Sequence, residues 1–182
     1  MRRFNSIRDT IATREASLVK HRTWSYRFAE EILNSRLDLK KEIIDVVDSS
    51  ILPFDQLTRP NLNKEFEKRF LEHGWDTQPH VGGDEIDPRL DFMKGRVGVE
   101  VAFSHASFIG IDLLKFQIMS YSSLDRIDVG VYIVATSDFI RKMEKEHNQK
   151  WEGSLPFEKV KNYLPNVRSA IQVPVYLIGL EV

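Results

Sequence analysis

Apolar residues recur at spacings of three and four through FAEEILNSRL and LKKEIIDVV, and this spacing predicts helices within residues 5–50. Asn34 or Ser35 stands where the second of these would be capped. SSILPFDQLTRPN carries two prolines and reads as a connector. In NLNKEFEKRFLEHGW, Leu62, Phe66, Phe70 and Leu71 form one apolar face, and Gly74 sits where a helix ends. DTQPHVGGDEIDP is a polar loop. Alternation then replaces helical spacing. Residues 89–93 and 97–104 predict two strands joined by a tight turn at Lys94, Gly95 and Arg96. FIGIDLLKFQIMSY predicts a helix with Ile111, Leu114, Ile118 and Tyr121 on one face. IDVGVYIVA is a continuous apolar run, as expected of a strand covered on both sides. SDFIRKMEKEHNQKW predicts a helix capped by Ser137, PFEKVKNYLPNV another, and VPVYLIGLEV a closing strand. The order predicts an α/β (α+β) fold: a central mixed β-sheet flanked by helices.

Composition narrows the class. The 182 residues suit one domain, with residues 1–60 mainly helical and residues 61–182 carrying the sheet. Apolar content of 42% and charged content of 29% are those of a globular protein. No apolar run approaches the roughly 20 residues of a membrane-spanning helix. MRRFNSIRDT lacks the apolar segment of a secretory signal. The absence of cysteine removes disulfides, thiolate metal sites and a cysteine nucleophile. A cytoplasmic protein with no membrane partner is the expectation. Net charge is −1, yet the first 41 residues hold ten basic and five acidic side chains. That excess reads either as a solvated helical face or as a surface for phosphates. No glycine-rich phosphate loop, Ser-His-Asp arrangement or HExxH motif is present.

The distinctive chemistry lies in RLDFMKGRVGVEVAFSHA. Side chains alternate along a strand, so Val97, Val99, Val101 and Phe103 share one face and Gly98, Glu100, Ala102 and Ser104 the other. Glu100 is thus flanked by the smallest residues. A tight hairpin brings Asp91 near it from the preceding strand. Two such carboxylates raise each other's pKa unless something compensates, and a Mg²⁺ between them would remove that penalty. The bland alternative is a pair of unrelated polar-face carboxylates, or a salt bridge to Lys94 or Arg96.

An Asp followed nine residues on by E-x-(K/Q/E) is the signature of the PD-(D/E)XK nucleases. DFMKGRVGVEVAFSHASFIGIDLL, IDVGV and LIG extend the match. Together they resemble the BglII/BstYI-like type II restriction endonucleases, whose core reads D-F, V-E-V-Q-F, a helix, IDVGV and a closing LIG strand. FAEEILN and LNKEFEKRFLEHGW resemble segments at matching places. The similarity starts near residue 28, and the loop 77–88 matches poorly.

The resemblance implies the restriction-endonuclease-like PD-(D/E)XK fold, with the catalytic core in residues 61–182. It implies a Mg²⁺-dependent homodimeric endonuclease that cuts double-stranded DNA at a short palindromic, GATC-centred site and leaves 5′ overhangs. A cognate DNA methyltransferase is its expected companion in a restriction-modification system. Asp91, Glu100 and the backbone carbonyl of Val101 would hold the metal, with Glu65 as a further acidic ligand or merely a solvated helix residue. Water would attack phosphorus in line and the 3′ oxygen would leave. Ala102 departs from the pattern, which has Gln there. Lys94, Ser104 or Gln117 would reach the site instead, or metal alone would suffice, or the protein is a weakened nuclease that binds DNA. Ser104, His105 and Ser107 would face bases in the major groove, and Asn148, Gln149 and Lys150 form a second segment suited to base contact. A repair or junction nuclease on the same fold is the alternative enzyme.

Overall fold

A computed structural model describes residues 16–17, 20–50, 52–81, 89–121 and 125–181. Its strands are β1 (Ala16–Ser17), β2 (Lys20–Tyr26), β3 (Leu52–Pro53), β4 (Asp76–Thr77), β5 (Phe92–Lys94), β6 (Val97–Val101), β7 (Val129–Ala135) and β8 (Val175–Glu181). Its α-helices are α1 (Ala29–Asn34), α2 (Leu37–Ser49), α3 (Arg59–Glu72), α4 (Ile109–Tyr121), α5 (Ser137–His147) and α6 (Phe157–Tyr163). Six strands form one sheet in the order β2-β8-β7-β6-β5-β4, while β1 pairs with β3. The β6–β7 and β7–β8 pairs are parallel, and the other pairs of the large sheet are antiparallel. This is the mixed sheet flanked by helices that the order of elements predicts.

Strand β7 is buried along all seven residues, because helices cover both faces of the sheet. Val129, Val131, Ile133 and Ala135 pack towards α1, α2, α3 and α5, in one cluster with Leu33, Ile43, Phe66, Phe70 and Phe139. Tyr132 and Val134 pack the other way, against Leu113 and Phe116 of α4 and Val160 of α6. Each of the large apolar side chains so buried contributes about 1.5–3 kcal/mol. Gly130 lets α4 approach closely: a Cβ there would lie 2.7 Å from the Phe116 ring. Among the described residues, no helix is long and apolar enough to cross a membrane.

Four local expectations are corrected. Residues 20–26 form a strand and not a helix, since KHRTWSY holds Thr, Trp and Tyr and pairs along its whole length with β8. Neither Asn34 nor Ser35 caps α2. The Ser35 hydroxyl donates back to the Ile32 carbonyl at 2.6 Å, and Arg36 precedes α2 without a side-chain cap. The cap of α5 is Thr136, whose Oγ1 accepts from the Phe139 amide at 3.2 Å. On α3, Leu62, Phe66 and Phe70 are buried but Leu71 points outwards.

The face of α4 differs most. Ile109, Asp112, Leu113, Phe116 and Met119 face inwards, while Ile111, Leu114 and Tyr121 are half exposed. A helix apolar around most of its circumference gives two overlapping stripes at the same period, and the close approach at Gly130 selects the one containing Phe116. Of the N-terminal basic residues, Arg2, Arg3, Arg8 and Arg14 lie outside the described residues. Arg22 pairs with Glu181 and Glu158, Arg36 with Asp128, and Lys40 with Glu30, so these three serve ion pairs within the fold.

Candidate active site

The hairpin β5–β6 sets the geometry. Gly95 takes a left-handed φ of +56°, which glycine adopts without a Cβ penalty, and the turn pairs Lys94 with Val97. Phe92 pairs with Val99, so the next step of the register puts Asp91 opposite Glu100. The two carboxyl groups are close enough for each to bear on the other's ionisation. The Val101 amide donates to Asp91 Oδ2 at 2.8 Å. On the other side of Asp91, its carbonyl accepts from the Gln78 amide at 3.0 Å, which continues the β4–β5 pairing. Asp91 and Val101 open onto a cavity of about 200 Å³ that Asn63 and Glu67 of α3, together with Gln78, also line.

Burial raises the pKa of both acids. For Asp91 the loss of water dominates, opposed by the Val101 amide, the Glu100 side chain and Lys115. Glu100 is 3% exposed, and burial followed by the charge of Asp91 pushes it well above the ordinary carboxylate range. Lys115 of α4 opposes that shift. Its Nζ donates to Glu100 Oε1 at 2.8 Å and lies 3.5 Å from Asp112 Oδ1. Burial alone would lower the Lys115 pKa, but Glu100, Asp112 and Asp91 reverse this and keep the ammonium charged. Tyr132 of β7 donates its hydroxyl to Asp112 Oδ2 at 2.8 Å, and burial raises the tyrosine's own pKa. Asp91, Glu100, Lys115, Asp112 and Tyr132 thus form one connected polar group between sheet and helix.

The other sequence-derived candidates separate from this group. Lys94 donates to both Glu42 oxygens at 2.9 and 2.8 Å and to the His73 carbonyl at 2.7 Å. Gln117 Oε1 accepts from the Gln172 and Val173 amides at 2.6 and 3.0 Å. Glu65 pairs with Arg69 at 2.8 Å, and it is Asn63 and Glu67 that face the cavity. Each of these three placements has the same cause: a polar side chain on a folded surface takes the nearest partner, which sequence spacing does not reveal. Gln149 spends its amide nitrogen on the Phe54 and Asp55 carbonyls, at 3.4 and 3.0 Å.

Ser104, His105 and Ser107 are exposed at the entry to α4. The Ser107 amide donates to His105 Nδ1 at 3.2 Å, and the Ala106 amide ties this segment to the Gly153 carbonyl at 2.9 Å. Asn148 ends α5 in a left-handed conformation and is exposed, as is Lys150.

Sequence reasoning missed Lys115 and Asp112. The available signal was the pair Gly98 and Ala102 beside Glu100. Small residues on that face leave room for a side chain arriving from the covering helix.

Among the described residues, no group of three or more His, Asp or Glu side chains converges to hold a metal. The chain offers two adjoining carboxylates. Both are hard oxygen donors whose charges oppose one another when buried, and a divalent cation such as Mg²⁺ relieves that opposition, so the residues fit the ion.

The sequence model of the family described as restriction endonuclease BglII/BglIII matches residues 21–180. Among solved structures, restriction endonuclease BglII complexed with a DNA 16-mer superposes with a TM-score of 0.69 at 20% identity, covering 88% of this chain and 75% of that one. No curated protein sequence matches the chain. The chain belongs to the BglII/BglIII restriction endonuclease family, and its chemistry is site-specific cleavage of DNA.

Proposed function

We propose that this chain is a homodimeric, Mg²⁺-dependent type II endonuclease that hydrolyses both strands of duplex DNA at a short palindromic site. The single observation that carries this reading is the meeting of two acids at the end of the β5–β6 hairpin: Asp91, bonded by the Val101 amide and lining an open cavity, and the buried Glu100 next to Val101 in the chain, each bearing on the other's ionisation. Asp91 and Glu100 would hold the cation, with the Val101 carbonyl as a third oxygen. When bound, Mg²⁺ supplies Lewis-acid stabilisation of the negative charge that builds on the phosphoryl oxygens. The protein's own part is positional. The Val101 amide fixes Asp91 Oδ2, and Lys115 donates to Glu100 Oε1. The burial of Glu100 keeps bulk water from loosening either contact.

Ser104, His105 and Ser107 stand at the exposed start of α4, where, apart from His105 Nδ1 and the Ser107 hydroxyl that bond to one another, their polar groups can meet base edges in the major groove. Asn148 and Lys150 supply a second polar segment. A GATC-centred target with 5′ overhangs belongs to the same reading, as does a companion methyltransferase that protects host DNA. So does the organisation of the whole chain as one endonuclease unit.

The dimer rests on α4. Phe108, Ile111, Leu114 and Tyr121 expose between 47% and 58% of their surface along one side of the chain. Such a stripe marks an interaction surface, and the occupant assigned here is a second copy of the chain, since a two-fold protein matches a two-fold target.

Digestion of a sequenced plasmid with and without Mg²⁺, followed by sequencing of the ends, tests the function. Discrete fragments with uniform 5′ overhangs are expected. Nicking confined to branched or damaged DNA would instead assign the repair-type reading, and intact plasmid would remove the nuclease reading altogether.

A further inference from the structure

Ala102 follows Glu100 on the same face of β6 and its extension, and it has no functional group. It is 4% exposed and packs in one cluster with Ile109 and Leu113 of α4. The space beside Ala102 thus belongs to the apolar layer that α4 helps to fill. The same close packing delivers Lys115, farther along α4, to Glu100, with Nζ 2.8 Å from Oε1. The two features are complementary. A small residue at 102 admits the helix, and the helix brings the cation.

We infer that Lys115, carried by α4, is the cationic group that acts on the scissile phosphate in place of the side chain absent at Ala102. This rests on the nuclease reading given above. An ammonium has three donors, and Glu100 and Asp112 account for two at most. The Lys115 side chain is 16% exposed, against 4% for Glu100, so it is the more open of the two. Asp112, itself held by Tyr132, steadies the lysine from the preceding helical turn. In the hydrolysis, the water oxygen joins phosphorus and gives up a proton. The P–O3′ bond breaks, and the 3′ oxygen leaves with the bonding pair and is protonated. Lys115 stays an ammonium throughout, donating hydrogen bonds to a non-bridging phosphoryl oxygen as negative charge accumulates there.

The experiment compares wild type, Lys115→Met and Lys115→Arg by three measurements: single-turnover cleavage of a plasmid in Mg²⁺, calorimetric titration of the metal-free protein with Ca²⁺, and thermal unfolding. Wild type must cut first; if it does not, the nuclease reading fails, and this inference falls with it for that separate reason. With wild type active, Lys115→Met is expected to cut about 100-fold more slowly or worse. It should bind Ca²⁺ as tightly as wild type or more tightly, because a neighbouring positive charge has gone. Lys115→Arg is expected to recover part of the loss.

Cleavage by Lys115→Met within about ten-fold of wild type overturns the inference. So does a loss of cleavage accompanied by weaker Ca²⁺ binding, which would make the lysine a mere support for Glu100. Should Lys115→Met fail to fold, Lys115→Gln takes its place. Failure of both to fold also overturns the inference, since it reduces Lys115 to a structural counter-ion.

Discussion

Asp91 and Glu100 are held at a cost that the fold itself creates. Both carboxyls titrate above their ordinary values because burial removes water from them, and for Glu100 the charge of Asp91 adds to the shift. Between the ordinary and the raised value, the folded protein binds more protons than the unfolded chain, so stability falls as pH rises through that interval and then levels off. In the absence of divalent ions, Glu100→Gln should therefore raise the thermal midpoint at pH 7, and the gain should disappear once the pH is brought below the ordinary glutamate value of 4.5. Unfolding curves at several pH values in chelator check this, and a lower midpoint for Glu100→Gln at pH 7 would contradict it. Asp91→Asn and Glu100→Gln should each abolish cleavage, with DNA retention in Ca²⁺ measured on the same samples.

At the scale of elements, the site depends on how closely α4 seats on the sheet. Phe116 lies against Gly130 with no space for a methyl group, its ring 2.7 Å from the position of a Cβ. Gly130→Ala should destabilise the protein by about 1–3 kcal/mol through overpacking. Because Lys115 and Asp112 ride on the same helix, cleavage should fall further than the stability loss accounts for. Chemical denaturation read beside single-turnover rates separates the two effects. The hairpin was legible in the sequence, since alternation and a glycine turn specify strand pairing and hence the opposition of Asp91 and Glu100. The orientation of α4 was not, because apolar residues occur nearly all round it.

For the whole molecule, the exposed apolar stripe on α4 is the feature that a single copy leaves unsatisfied. Replacing Ile111 and Leu114 together by Glu should give a monomer by sedimentation velocity, with little loss of thermal stability, since both side chains are already about half exposed. The same variant should lose double-strand cutting at the palindrome. A variant that remains dimeric would place the interface elsewhere. The stripe is visible in the sequence as periodicity, but spacing identifies a face without saying what covers it.

Sequence alone determined the class of fold, the hairpin, the paired acids and the family resemblance, because these depend on local period, turn chemistry and the order of residues along one stretch. Tertiary structure decided which side chains complete the group. Lys115 arrives at Glu100 from fifteen residues away in sequence, and Tyr132 reaches Asp112 across twenty. Lys94, Gln117 and Glu65 turned instead to partners of their own. The physical reason is that hydrogen bonds and ion pairs act over a few ångströms, and only the packing of helix on sheet fixes which groups come that close.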